Sequence, residues 1–253
     1  MTVRANSARS IQELKRADRE RLADLMQDLP SLVEDEVLAI LANPYVTPQL
    51  ISKIAQTARL TGFYSVRLRL VALRQTPQAH AVKLIHYLYW VDLLRLSIDV
   101  TVPAPVRRAI DTQLLVRAEK LTLGERVSAA RLCSHALIKF FLHDPSPRVF
   151  AALLINKRLR EDDLVALASS PQATGDQLRM LASDPKWSYR YAIRKALVLN
   201  PHTPRASAAS QLRYLSRVDL RRIHSNPHTS VYLRRCIERL RPEDFSAALE
   251  GIE

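Results

Sequence analysis

The chain has 253 residues, 47% of them hydrophobic, and its 38 Lys+Arg against 25 Asp+Glu give a formal net charge of +13. That apolar share supplies a sizeable core and excludes wholesale disorder. Four glycines (Gly62, Gly124, Gly175, Gly251) stand against fourteen prolines; scarce glycine disfavours hairpin-rich sheets and phosphate-cradling loops, and proline suits the first turns of helices.

The predicted elements, in chain order, begin with a charged amphipathic helix from about Ile11 to Leu29. Residues 1–36 hold 6 basic and 8 acidic groups and read as an N-terminal cap. Residues 37–241 hold 32 basic and 13 acidic groups and read as one basic repeat array. Residues 242–253 hold 4 acids and no bases, an acidic cap or tail able to screen the basic body. Such a field attracts polyanions, whether nucleic acid, an anionic membrane surface or an acidic protein, and does not choose among them.

Three segments start alike, at Thr47-Pro48, Thr76-Pro77 and Thr203-Pro204. A Thr N-cap followed by Pro at the first helical position satisfies one orphan N–H and removes another. Asn43-Pro44, Asn200-Pro201 and Asn226-Pro227 mark further helix boundaries, because proline disfavours helix at the residue before it. Arg67, Arg107, Arg148 and Arg190 recur near apolar helix starts at spacings of 40, 41 and 42, with Tyr232 in the next slot. A third device is Leu88/Asp92/Leu93, Leu159/Asp163/Leu164 and Leu215/Asp219/Leu220, in which the Asp suits the cap of a short helix. Together these predict an all-α chain, a right-handed α-solenoid of about five repeats of roughly 40 residues that bury a continuous core by stacking.

Over residues 37–241 this pattern resembles the HEAT and armadillo-like helical repeats. The closest match is Asp184-Pro185-Lys186-Trp187-Ser188-Tyr189-Arg190. There the resemblance implies an Asp184–Arg190 pair of the kind that forms a repeat-to-repeat ladder. The Asn-Pro-x-Thr-Pro turns also resemble leucine-rich-variant repeats. Ser183-Asp184 through Ile193 is similar to a stretch of HEAT-like alkylpurine DNA glycosylases, but the Trp and Asp of that family one repeat upstream have no counterpart between Arg148 and Leu159.

Nothing else points to catalysis. The chain lacks H-E-x-x-H, G-x-S-x-G, a P-loop and G-x-G-x-x-G. Cys133 and Cys236 read as buried thiols of a reducing compartment, since two isolated cysteines do not build a zinc or iron–sulfur site unaided. No apolar run suits a membrane span and no signal-like segment is visible, so a cytoplasmic protein without cofactor or metal is expected.

The binding candidates are basic. Arg213, Arg217 and Arg221 fall at i, i+4 and i+8, one side of a continuous helix, and Arg222 widens that stripe. Arg190, Arg194 and Lys195 precede it, and Arg234 and Arg235 follow. Trp187 beside Lys186 suits either a stacking anchor or a filler between repeats. The expected function is a non-enzymatic scaffold that holds an acidic protein or peptide. DNA or RNA bound through its backbone is the alternative, and a HEAT-like glycosylase a further one.

Overall fold

The computed structural model describes residues 11–26 and 28–245, and within them every regular element is a helix. Residues 246–253 of the acidic tail lie outside the described residues. The chain divides into two compact units at Leu137/Ile138, inside the stretch predicted as one array.

Unit 1 contains α1 (11–16), α2 (Arg19–Asp24), a 3₁₀ turn (Leu29–Ser31), α3 (Glu34–Leu41), α4 (Pro48–Gln56), α5 (Ala58–Gly62), α6 (Tyr64–Ala72), α7 (Gln78–Ile85), α8 (Trp90–Ile98), α9 (Ala104–Ala118) and α10 (Leu123–Leu132). Helix α11 (His135–Phe141) crosses the boundary. Unit 2 continues with α12 (Pro147–Leu154), α13 (Glu161–Ser169), α14 (Gly175–Ser183), α15 (Tyr191–Leu199), α16 (Arg205–Leu212), α17 (Arg217–Ser225), α18 (Val231–Leu240) and a 3₁₀ turn (Pro242–Asp244).

The single N-terminal helix expected from Ile11 to Leu29 is two. Asp18 ends the first and caps the second, its carboxylate accepting from the Arg21 N–H at 2.9 Å. The buried Asn43 side chain holds the break, donating to the Leu14 and Ala17 carbonyls at 2.8 and 2.9 Å. Thr47-Pro48 follows the expected cap chemistry, with Thr47 Oγ1 accepting from the Leu50 N–H. Thr76 and Thr203 do not. Their helices open one residue later, behind Pro77 and Pro204, and both hydroxyls are buried without a partner.

Six helices of unit 1 recur in unit 2 displaced by 127 residues without a gap, although α5 falls on a non-helical turn there. Helices α3, α4, α6, α7, α8 and α9 start at 34, 48, 64, 78, 90 and 104; α13, α14, α15, α16, α17 and α18 start at 161, 175, 191, 205, 217 and 231. Packing repeats as well: α3 meets α6 as α13 meets α15, α6 meets α7 as α15 meets α16, and α7 meets α9 as α16 meets α18. Residues kept in both copies include Thr47/Thr174, Leu70/Leu197, Leu88/Leu215 and Leu93/Leu220. Each of the two leucine pairs in the middle of a helix is fully or nearly fully buried, and burial of one such side chain stabilises by roughly 1.5–3 kcal/mol. Within each copy, turns close by one device: Asn43, Asp99, Asn156, Asp184, Asn200 and Asn226 each accept from the backbone N–H two residues on.

The duplication also resets the arginine register. Arg67, Arg107, Arg194 and Arg234 occupy the fourth position of α6, α9, α15 and α18. Arg190 is instead an N-cap, and Arg148 and Tyr232 are second helical residues. The spacing of 40–42 residues therefore joined positions of different register, since Arg148 lies on α12, between the two matched sets of helices.

Candidate polyanion-binding surface

Unit 2 builds its basic surface from the first turn of α15, the α16–α17 turn, α17 and α18. The turn is set by Ser216, whose hydroxyl accepts from the Asp219 N–H at 3.2 Å. Tyr191, the first residue of α15, locks that turn to its own helix. Its hydroxyl lies 2.5 Å from Asp219 Oδ2 and accepts from the Ser216 N–H at 3.1 Å. Unit 1 has the same device 127 residues earlier, in Tyr64, the Tyr89 N–H and Asp92. Lys195 Nζ reaches Asp219 Oδ1 at 2.8 Å, and this bond leads the causes that hold the Asp219 carboxyl below the usual range.

The stripe of Arg213, Arg217 and Arg221 is not one helix face. Helix α16 ends at Leu212, with Arg213 as its C-cap, and α17 begins at Arg217. The Ser216 cap makes the break. Arg217 and Arg221 do share α17, and both converge on Asp244. Arg217 Nε donates to the two Asp244 oxygens at 2.6 and 2.8 Å, and Arg221 Nη2 donates to one at 2.7 Å. Only 1% of the Asp244 side chain remains accessible. The Arg217 hydrogen bond chiefly holds its carboxyl below the ordinary carboxylate range, against a smaller opposing effect of burial.

The other candidates separate into engaged and open. Arg194 donates to the Ser188 carbonyl at 2.7 Å and lies 3.8 Å over the exposed Tyr214 ring, with Arg213 at 4.9 Å from the same ring. Arg234 is held by the Asn226 and Pro227 carbonyls at 2.9 and 3.1 Å. Arg190 pairs loosely with Glu161 at 3.6 Å and lies over Tyr189. It does not pair with Asp184, whose carboxylate accepts from the Lys186 and Trp187 N–H groups of its own turn. Arg222 and Arg235 are exposed and make no side-chain bond among the described residues. Trp187 does not belong to this surface. It is 4% exposed, and its indole N–H donates to the Leu154 carbonyl at 3.1 Å. The bulky indole fills the core position that Leu60 holds in unit 1, 127 residues earlier.

Sequence reasoning missed the Tyr191–Asp219 lock and the Asp244 clamp. The first was signalled by Tyr64 and Tyr191 standing at one register with Asp92 and Asp219. The second had only the acidic composition of the C-terminal stretch as its signal. Among the described residues no three His, Cys, Asp or Glu side chains gather as metal ligands, and no helix is long and apolar enough to cross a membrane. No family profile, curated protein or solved structure matches the chain.

Proposed function

We propose that the chain is a non-enzymatic scaffold of HEAT-like helical repeats whose unit 2 surface holds the carboxylates of an acidic protein segment. The carrying observation is the clamp of Arg217 and Arg221 on Asp244. In it two guanidiniums take a carboxylate from the acidic 3₁₀ turn Pro242–Asp244, the chemistry an acidic partner offers. Arg213 at the C-cap of α16, Arg222 on α17 and Arg235 on α18 are exposed nearby in sequence and make no side-chain hydrogen bond among the described residues. The repeat reading is supported by the reach of the side-chain bonds between elements. Asn43 to Leu14, Arg59 to Leu32, Arg117 to Leu88, Trp187 to Leu154 and Asn200 to Ala168 span 27–33 residues, the distance to a neighbouring repeat.

Nucleic acid is the second reading, and the Arg194–Tyr214–Arg213 stack favours it, because an exposed ring flanked by guanidiniums also suits a base and its phosphate. The glycosylase reading receives no such support, since Trp187 is buried and Asp184 is engaged in its turn.

Fluorescence anisotropy with a labelled Asp/Glu-rich peptide, competed by single-stranded RNA and by duplex DNA, tests the assignment. Expected is saturable peptide binding that weakens as salt rises, drops at least tenfold in an Arg213→Gln/Arg222→Gln/Arg235→Gln variant, and resists equimolar nucleic acid. Displacement by substoichiometric RNA or DNA would transfer the surface to the second reading, and absence of peptide binding at low salt would end the first.

A further inference from the structure

Comparison of the two copies isolates a groove that unit 1 lines with three arginines and unit 2 with Arg205 alone among charged residues. The groove lies between the end of α6 and the start of α9. In unit 1 its volume is about 790 Å³, and its lining includes Arg69, Arg74 and Arg107 with no acidic side chain. The corresponding groove of unit 2, lined by Leu199, Asn200, Pro201, His228, Thr229 and Ser230, measures about 180 Å³. There the positions of Arg69 and Arg74 are Ala196 and Pro201. Arg234, the counterpart of Arg107, donates through Nη2 to the Asn226 and Pro227 carbonyls, while its Nε is buried without a partner.

Arg107 has no such engagement. It makes no hydrogen bond among the described residues, and its Nε is buried without a partner. Arg74 is exposed and likewise unbonded, and Arg69 reaches a single carbonyl, that of Leu41, at 3.5 Å. The carboxylates that act on Arg107 are committed elsewhere. Asp99 accepts from the Thr101 N–H and hydroxyl at 2.8 and 2.7 Å. Asp111 accepts from the Ser134 hydroxyl at 2.7 Å. Asp99 and Asp111 act on Arg107 only at longer range, and none of the three guanidiniums is in a salt bridge among the described residues, so the groove has room for an anion from outside.

We infer that this groove binds a small organic phosphate carrying two or more phosphate charges, the size of a nucleoside diphosphate. Each guanidinium presents a fork of up to five N–H donors. A carboxylate offers two oxygens and does not fill three forks, whereas linked phosphates do. The volume falls in the range of small-molecule pockets, roughly 300–1,000 Å³. Leu73, Val100, Val102 and Pro103 add an apolar flank for the carbon skeleton, and Val100 is 82% exposed.

Isothermal titration of the full chain near physiological salt, with ADP, inorganic pyrophosphate and citrate as probes, tests the site. ADP and pyrophosphate are expected to bind one per chain. Arg74→Gln and Arg107→Gln are expected to weaken them at least tenfold each, while Arg205→Gln, in the unit 2 groove, leaves binding intact. Arg74 is exposed, so its variant keeps the fold, and thermal melts monitor the Arg107 variant. Absence of binding at millimolar probe, affinity that survives both substitutions, or citrate bound as tightly as pyrophosphate would each overturn the assignment. The Arg213/Arg222/Arg235 variant is expected to bind ADP normally, so this site and the acidic-segment surface stand or fall separately.

Discussion

Asn200 is a small residue on which the interior of unit 2 depends. It is 6% exposed and makes three hydrogen bonds. Its amide donates to the Ala168 and Ser170 carbonyls at 2.7 and 2.9 Å, and its oxygen accepts from the His202 N–H at 2.9 Å. It therefore closes its own turn and satisfies carbonyls at the end of α13 and in the turn just beyond it. Asn200→Ala removes all three bonds and leaves acceptors with little access to water. At about 1 kcal/mol net per bond, with the penalty for stranded carbonyls added, the loss comes to about 3–4 kcal/mol. With a urea m-value of about 1.5 kcal/mol/M for a unit of this size, the unfolding midpoint falls by about 2 M. The chain has one Trp in each unit, so a Trp90→Phe background leaves Trp187 as a reporter of unit 2 alone. Asn200→Asp is a sharper probe. It keeps the acceptor for His202 but turns a carboxylate toward two carbonyl oxygens. Its folded-state pKa is therefore raised, and the stability lost at neutral pH returns as pH falls and the introduced group takes up a proton. A midpoint shift under about 0.5 M for Asn200→Ala would show that the three bonds are replaced by water, and the account of Asn200 as a tie between the two turns would fail.

Trp187→Ala is expected to cost about 3–5 kcal/mol as a core truncation, and Trp187→Phe about 1–2 kcal/mol through the lost N–H bond and residual cavity; equilibrium unfolding of each, followed by far-UV circular dichroism, checks the ratio. Asp244 is held below the ordinary carboxylate range, mainly by Arg217, so its clamp persists from neutral pH down past about pH 4. The clamp is lost only as pH falls through the lower folded value. Limited proteolysis at the C-terminal turn across this range should show late release in the wild type and open access at every pH in Asp244→Asn. The Tyr64 phenol is pushed above its ordinary value, first by burial and then by its bond to Asp92, so its ultraviolet titration should move down, but not fully to normal, in Asp92→Asn.

The all-helical class was legible because helix signals are local: the Thr47-Pro48 cap, the asparagine turns and the 3.6-residue apolar spacing each act within one turn. Helix breaks were less legible. Asp18 and Ser216 interrupt stretches whose charge spacing favours a continuous helix, and what holds one break is remote: Asn43 reaches back 29 residues to Leu14. The basic surface was legible as composition only. Whether an arginine is open or engaged depends on carbonyls and carboxylates brought in by other elements, as with Arg217 on Asp244 and Lys195 on Asp219. Trp187 beside Lys186 carried the same ambiguity, and its burial was decided by the Leu154 carbonyl 33 residues away.

The duplication turns that ambiguity into an internal comparison. Positions kept in both copies do the same structural job twice, as Tyr64 and Tyr191 do with Asp92 and Asp219. Positions that differ are where the copies have separate roles. Trp90 of unit 1 corresponds to Arg217, Leu94 to Arg221 and Arg117 to Asp244. In unit 1 the Trp90 indole donates to Glu125 of α10 at 3.0 Å, and Arg117 holds the Leu88 and His86 carbonyls at 2.6 and 2.7 Å. In unit 2 the same three positions form an arginine–carboxylate clamp. The groove differs in the opposite sense, with three arginines lining it in unit 1, while in unit 2 Arg234 is bonded through Nη2 to the carbonyls of the preceding turn. A basic composition acting only as a diffuse field would leave both copies alike, with arginines scattered over equivalent faces. Arg222 and Arg235 do have arginine counterparts in unit 1, Arg95 and Arg108, but the carboxylate clamp of unit 2 and the three-arginine groove of unit 1 each occur in one copy, which is what the two proposed anion sites require.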